Sequence, residues 1–212
     1  MNRLKKNDII AIFRDINPKD APFIVEVLLE EGINLIEVSL SEEEKGLNSI
    51  KEIYKNFKNS NINLGMGTVI NKSQVDKGIK NGVNYIITPG FDRELVRYVN
   101  DLKVDILPGV LTPGDVAQAT AENIKISKLF PANTFPINYI KNLKGPFPNM
   151  KFVAVGGVNL NNINHFFNNG FYAAGIGSDL IPRGSLKENK ENIRQRAKEY
   201  IKVIEKKDDV YG

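Results

Sequence analysis

The chain has 212 residues, and 29 lysines and arginines against 25 aspartates and glutamates give a formal charge of +4; 42% of residues are hydrophobic and 25% charged. That balance describes a folded domain with a sizeable core, not a disordered tail. Cysteine is absent and His165 is the one histidine, which excludes disulfides, thiolate nucleophiles, iron–sulfur ligation, cysteine-bound zinc and an HExxH zinc site, and leaves a Ser-His-Asp triad a single imidazole to be built on.

Arg3, Lys5 and Lys6 precede the first apolar run, Ile9 to Phe13, but Arg14-Asp15 closes it too soon for a signal-peptide core. No stretch has the length of a membrane span, so the chain reads as cytoplasmic. Asn17-Pro18-Lys19-Asp20 then offers a cap, a proline for the first turn and an acid, and Gly32 follows the last apolar position, predicting a helix from Pro18 to Glu31. Further β-branched runs are Ile33-Val38, Ile62-Met66, Tyr85-Thr88, Val104-Leu107, Ile124-Leu129, Lys151-Val155 and Phe171-Ile176. Amphipathic stretches separate them: Asp92 is placed to cap a helix near Arg93, Asn159 one near Leu160, and Ile193, Ala197, Ile201 and Ile204 recur at helical spacing as a core stripe. Lys51, Lys55, Lys58, Lys141, Lys144 and Lys151 are interleaved with acids and apolar residues, a solvated pattern and not a nucleic-acid patch.

Eight βα units in succession predict an α/β fold closed as a (β/α)8 TIM barrel, one domain over residues 1–212, near the lower edge of length for such barrels. An open dinucleotide-binding sheet would carry GxGxxG after its first strand, yet Phe13 is followed by Arg14-Asp15-Ile16. Gly65-Met66-Gly67 and Gly175-Ile176-Gly177 each lack a third glycine, and no GxxxxGK[ST] loop occurs.

In such a barrel the chemistry sits at the C-terminal ends of the strands, here Arg14, Glu37 with Ser39, Gly67-Thr68, Thr88-Pro89, Pro108-Gly109, Lys128, Gly156-Gly157 and Gly177-Ser178. Alternation puts Lys128 on the face of Ile124 and Ile126, opposite Lys125, Ser127 and Leu129. An enclosed lysine tends to lose its proton, and a neutral amine attacks a ketone to form a Schiff base; the position also suits a lysine that reaches solvent or pairs with a structural acid. Glu37, within Leu35-Ile36-Glu37-Val38-Ser39, is either the proton shuttle that such chemistry needs or the ion-pair partner of an inward cation. The glycines after the last two strands suit a phosphate with a helix N-terminus behind it, or plain tight turns, and His165 belongs to packing or surface.

Ile36-Glu37-Val38, Gly65-Met66-Gly67-Thr68-Val69, Ile87-Thr88-Pro89-Gly90, Leu107-Pro108-Gly109, Lys128-Leu129-Phe130-Pro131, Gly145-Pro146-Phe147, Val155-Gly156-Gly157-Val158 and Gly177-Ser178, in that order and through nearly the whole chain, resemble the KDPG/KHG-type class I aldolases acting on 2-keto-3-deoxy-6-phosphogluconate and its galactonate epimer. The resemblance implies a (β/α)8 barrel, commonly a homotrimer, with no metal or organic cofactor, whose partners are a phosphorylated keto acid and pyruvate rather than nucleic acid or membrane. It makes Lys128 the Schiff-base lysine and Glu37 the general acid/base. Thr68 and the backbone near Pro89 would hold the pyruvyl group, Phe130 would pack beside the imine, and Gly156, Gly157, Gly177 and Ser178 would bind phosphate. Ser41 stands where gluconate-type members carry an arginine for the substrate carboxylate, which transfers that role to Arg14. Val155 stands where the gluconate branch often has threonine, and Gly177-Ser178-Asp179-Leu180 looks more like the galactonate branch. The aldolase reading also covers a side activity on 4-hydroxy-2-oxoglutarate; a phosphosugar isomerase or epimerase on the same barrel, and an inactive phosphate-binding relative, are the other readings.

Overall fold

A computed structural model describes residue 1 and residues 3–211, with side chains through Glu205. Strands and helices alternate as β1 (Ile9–Phe13), α1 (Ala21–Glu30), β2 (Leu35–Ser39), α2 (Glu43–Phe57), β3 (Asn63–Gly67), α3 (Lys72–Lys80), β4 (Tyr85–Ile87), α4 (Arg93–Asp101), β5 (Asp105–Leu107), β6 (Gly109–Val110), α5 (Pro113–Ala121), β7 (Ile126–Leu129), α6 (Tyr139–Lys144), β8 (Lys151–Val155), α7 (Ile163–Asn168), β9 (Ala173–Ile176) and α8 (Lys190–Tyr211). Among the described residues all nine strands lie in one parallel sheet, ordered β5-β4-β3-β2-β1-β9-β8-β7-β6.

Eight strands were expected, and the ninth has a covalent cause. Pro108 has no N–H to donate, so the fifth stave splits there: β5 pairs with β4 and β6 with β7, while the Pro108 carbonyl accepts from Lys128 N at 2.9 Å. The sheet closes through this broken stave, and the architecture is the (β/α)8 barrel.

β1 and β8 occupy the expected residues, whereas β2, β7 and β9 begin two residues late. Ile33, Ile124 and Phe171 do not start strands. Each donates its N–H to a carbonyl five residues back, Leu28, Ala119 and Phe166, after a residue at positive φ: Gly32, Asn123 and Gly170. This is the Schellman ending, whose apolar residue packs back on its own helix. Val83 and Val104 repeat it after Gly82 and Lys103.

Two helix starts also move. Asn17 closes a turn of its own, accepting from Lys19 N on its side chain at 3.0 Å and from Asp20 and Ala21 on its carbonyl, so α1 begins at Ala21 and not at Pro18. Asn159 likewise folds into a turn with Asn161 and Asn162, so it caps no helix and α7 starts at Ile163. Asp92 does cap α4, accepting from Leu95 N at 3.0 Å.

The inward face of the strands forms a narrow core of Ile10, Ile12, Leu35, Tyr85, Ile87, Leu107, Val153, Val155 and Ala173, closed at the bottom by Leu4. There the Met1 amine meets Asp105 at 2.7 Å. The outward face packs on the helices as a second, larger core, which takes up Ile193 and Ala197 of α8 in full and Ile201 and Ile204 in part.

Lys103 holds φ +56° on an exposed helix end, a conformation that costs a residue with a Cβ roughly 1–2 kcal/mol. Lys103→Gly is expected to raise unfolding stability by about 1 kcal/mol after glycine's own entropy is counted, measured by urea denaturation.

Candidate active site

Register places Glu37 level with Ile12 on β1 and Gly65 on β3, and Lys128 level with Gly109 on β6 and Val153 on β8. Both side chains lie among the aliphatic residues of the inner face, Glu37 with 3% and Lys128 with 5% of its surface exposed. β3 makes the space. A Cβ on Gly67 would overlap the Glu37 carboxylate, and one on Gly65 would overlap the ring of Tyr85, whose hydroxyl donates to Ile36 O at 2.8 Å.

Among the described residues Glu37 and Lys128 form no ion pair, and Glu37 Oε2 is buried without a hydrogen-bond partner. Burial pushes the Glu37 carboxyl above the usual carboxylate range, against the pull of Lys128 and then Arg14. Burial also pushes the Lys128 amine below the usual lysine range, opposed by Glu37 and helped by Arg14. Each charge therefore feels the other, yet desolvation dominates both. Burial chiefly, and then the Glu37 charge, raises the Tyr85 hydroxyl well above its ordinary value. The Lys128 Nζ lies 4.6 Å from the centre of the Phe130 ring.

Around them the strand ends are held by side-chain bonds. Thr68 sits at φ +62° and shares a 2.9 Å hydrogen bond with Ser39 Oγ; a non-glycine residue in that region costs on the order of 1–3 kcal/mol and persists only when its surroundings hold it. Thr88 donates to Gly90 O at 2.6 Å and accepts from Gly109 N at 3.2 Å. Gly109 lies so close to the Pro89 carbonyl that no Cβ fits between them.

Beside this cluster a cavity of about 410 Å³ opens, walled by Ile12, Arg14, Phe130, Val155, Gly156, Gly157, Gly177, Ser178, Asp179 and Arg183, among others. Lys128 and Glu37 adjoin it through Phe130 and Arg14. Gly156 and Gly157, at φ +97° and +73°, turn the chain after β8. Gly177 differs from them: a Cβ there would meet nothing within 4 Å, so no protein atom requires glycine, and the space it leaves belongs to the cavity. After β9 the chain makes only a turn, Leu180 N and Ile181 N both donating to Gly177 O. The expected helix N-terminus behind these glycines is therefore replaced by loop backbone.

The structure thus brings Arg14, Phe130, Val155, Gly156, Gly157, Gly177 and Ser178 into one wall, with Lys128, Glu37, Thr68 and Pro89 at neighbouring strand ends. Ser41 is exposed outside that wall, and so is His165 on α7. Among the described residues no three of His, Asp and Glu gather as metal ligands. Tyr85, Asp179 and Arg183 are not among the site residues that the sequence predicts. Tyr85 stands in register with Gly65, a pairing of a large and an absent side chain that signals packing across a barrel. Arg183 and Asp179 lie in the β9–α8 loop, where strand and helix periods say nothing. Asp179 is held by Arg196 at 2.7 Å and by the buried Tyr200 hydroxyl at 2.5 Å.

The family model for KDPG and KHG aldolase matches residues 1–196. The 2-dehydro-3-deoxy-6-phosphogalactonate aldolase of Escherichia coli strain K12 is 30% identical over 201 residues, 93% of this chain and 95% of its own. The native KDPGal structure superposes with a TM-score of 0.83 at 29% identity, covering 93% of this chain and 94% of that one. The 2-keto-3-deoxy-6-phosphogluconate aldolase of Zymomonas mobilis ZM4, solved with 3-phosphoglycerate, gives 0.83 at 26% identity, covering 92% of this chain and 91% of that one. The chain belongs to the KDPG and KHG aldolase family, and its activity is that of an aldolase.

Two buried ionisable groups without a contact pair cost stability. Replacing both in the double variant Glu37→Met/Lys128→Met is expected to stabilise the barrel by about 1–4 kcal/mol. Wild-type stability falls as pH rises from the ordinary carboxylate value through the raised one of Glu37, and climbs again as pH rises from the lowered value of Lys128 toward the ordinary lysine value. The double variant should lose both slopes, read from urea melts across pH.

Proposed function

We propose that this aldolase cleaves a 2-keto-3-deoxy-6-phospho sugar acid to pyruvate and glyceraldehyde 3-phosphate through a Schiff base on Lys128. The observation that carries the reading is a buried amine and a buried carboxyl, shifted in opposite directions and left unpaired, beside a cavity with glycine loops on its wall. A lowered lysine supplies neutral amine, and a raised carboxyl supplies a proton near neutral pH.

The Lys128 amine adds to the C2 carbonyl, and Glu37 delivers the proton with which the carbinolamine hydroxyl leaves as water. The resulting iminium is the sink for the electron pair of the C3–C4 bond. Glu37, now a carboxylate, takes the proton of the C4 hydroxyl through a water; the C3–C4 bond breaks and glyceraldehyde 3-phosphate departs. The enamine is protonated at C3 by Glu37, and water hydrolyses the iminium to release pyruvate and the free amine. Arg14 pairs with the substrate carboxylate in place of the arginine missing at Ser41. Thr68 and the Pro89 backbone hold the pyruvyl oxygens, Phe130 flanks the imine, and Gly156, Gly157, Gly177 and Ser178 receive the phosphate.

Of the two C4 epimers the galactonate is the better fit, because Val155 offers no hydroxyl to the sugar and the Escherichia coli phosphogalactonate aldolase matches over 93% of the chain. A homotrimer in the cytoplasm, with a lesser activity on 4-hydroxy-2-oxoglutarate, completes the proposal.

Pyruvate with borohydride is expected to add one pyruvyl mass to Lys128, located by peptide mapping, and Lys128→Arg should fold normally and take no label. Absence of the adduct in folded wild-type protein would favour an isomerase or a binding protein on the same barrel. Glu37→Gln should lower kcat by about a hundredfold or more. kcat/KM should favour the galactonate epimer by about tenfold, the scale of one hydroxyl contact.

A further inference from the structure

We infer that Arg183 is a substrate-binding residue that confers selectivity for a phosphorylated over an unphosphorylated aldehyde portion; this deepens the proposed function and rests on it. The argument begins with the partners of the arginines. Arg93 and Arg97 are tied to Glu122, Arg194 to Glu30 and Glu31, and Arg196 to Asp179, while Arg3 donates to the Ile62 carbonyl. Arg14 and Arg183 form no ion pair among the described residues, and both line the 410 Å³ cavity. A guanidinium left without an anion in a concave, glycine-walled site is a counter-charge awaiting one.

The two arginines serve different parts of the ligand. Arg14 directly follows β1, whose Ile12 lies level with Glu37, and it perturbs both Glu37 and Lys128, so it stands near those two side chains. Arg183 perturbs neither. The acid that feels its charge is Asp15, which Lys45 already holds. Asp179, the acid in the same wall, is neutralised by Arg196 and bonded by Tyr200. Both of these acids are therefore already held by another cation, and Asp179 does not stand as a bare charge against an anion in the cavity. Glycine N–H groups supply only partial charges, whereas a phosphate monoester carries close to two negative charges at neutral pH, so a full cation at that end meets a need the loops leave open.

Its backbone is also fixed in advance. Arg183 sits on a turn closed by Ser185 N and Ser185 Oγ onto Pro182 O. That turn is stapled to the β1–α1 loop by Gly184 N on Asp15 O at 3.2 Å and by Lys187 N on Asp20 Oδ1 at 3.1 Å. Asp15 directly follows Arg14, so one strap joins the segments that carry the two cations, and little backbone ordering remains to be done when a phosphate arrives.

The test runs in the condensation direction, pyruvate with D-glyceraldehyde 3-phosphate or with D-glyceraldehyde, on wild type, Arg183→Met and Arg183→Lys. Arg183→Met should raise KM for the phosphorylated aldehyde about tenfold, one charge-assisted contact, with kcat within about twofold and no change for D-glyceraldehyde. The Lys variant should recover part of the loss, and the wild-type KM for the phosphorylated aldehyde should rise with salt more steeply than that of the Met variant. Calorimetric titration with sn-glycerol 3-phosphate gives a readout without turnover, and affinity should fall in the Met variant by a similar factor. Equal effects on both aldehydes, or unchanged affinity for sn-glycerol 3-phosphate, would overturn the role of Arg183. Failure of pyruvate to label wild-type Lys128 would overturn the Schiff-base reading instead, and the titration would still decide whether Arg183 binds phosphate.

Discussion

An amine and a carboxyl buried in a cylinder of aliphatic side chains, near enough to feel one another and yet unpaired, are the constraint to which the rest of the barrel conforms. A contact pair would hold the amine charged and the carboxyl ionised, each in its unreactive form for imine chemistry. Separation leaves desolvation in command, and separation has to be built. It is built by absence: Gly65 and Gly67 remove two successive inward side chains from β3, so that Tyr85 fills one vacancy and the Glu37 carboxylate lies across the other. Tyr85 then anchors on the Ile36 carbonyl, next door to Glu37 itself. The reactive centre and its packing are thus one object.

The surroundings divide the positive charge by distance from that centre. Arg14 is near enough to influence both groups, while Arg183, Arg196 and Lys45 are deployed along the rim, two of them neutralising acids that would otherwise face the cavity or its border. Helix α8 contributes through Arg196 and Tyr200, which fasten the loop after β9 from behind. A barrel of this kind can change what it grips by altering loop residues, while the strand positions that tune the amine and the carboxyl stay under the control of the core.

The barrel was legible in the alternation of β-branched runs with amphipathic stretches, because that rhythm is the core itself. Lys128 was legible for the same reason, as one polar residue on the inward face of Ile126. What failed to show were positions where two structures ask for one kind of residue. Ile33, Ile124 and Phe171 close helices with the same apolar side chains that open strands, so the strand starts were read two residues early. Asn17 and Asn159 bond to nearby backbone within turns as readily as they cap helices. The split of the fifth stave needed the partner strands on either side of Pro108, and the turn that carries Arg183 at the edge of the cavity is set by bonds to residues more than 160 positions away in the chain. Local pattern carries no trace of such distances.

The broken stave at Pro108 also bears on how the molecule opens. Hydrogen exchange reports local opening, and β6, two residues long beside a missing donor, is the shortest strand among the described residues. The Lys128 amide is one of the bonds across its seam with β7. A fluctuation that parts it admits water to the base of the lysine side chain and restores the hydration on which its proton depends. The acidity of the amine is thereby linked to the integrity of the seam: the excursions that deprotect the Lys128 and Phe130 amides are the same ones that return the amine to its charged form.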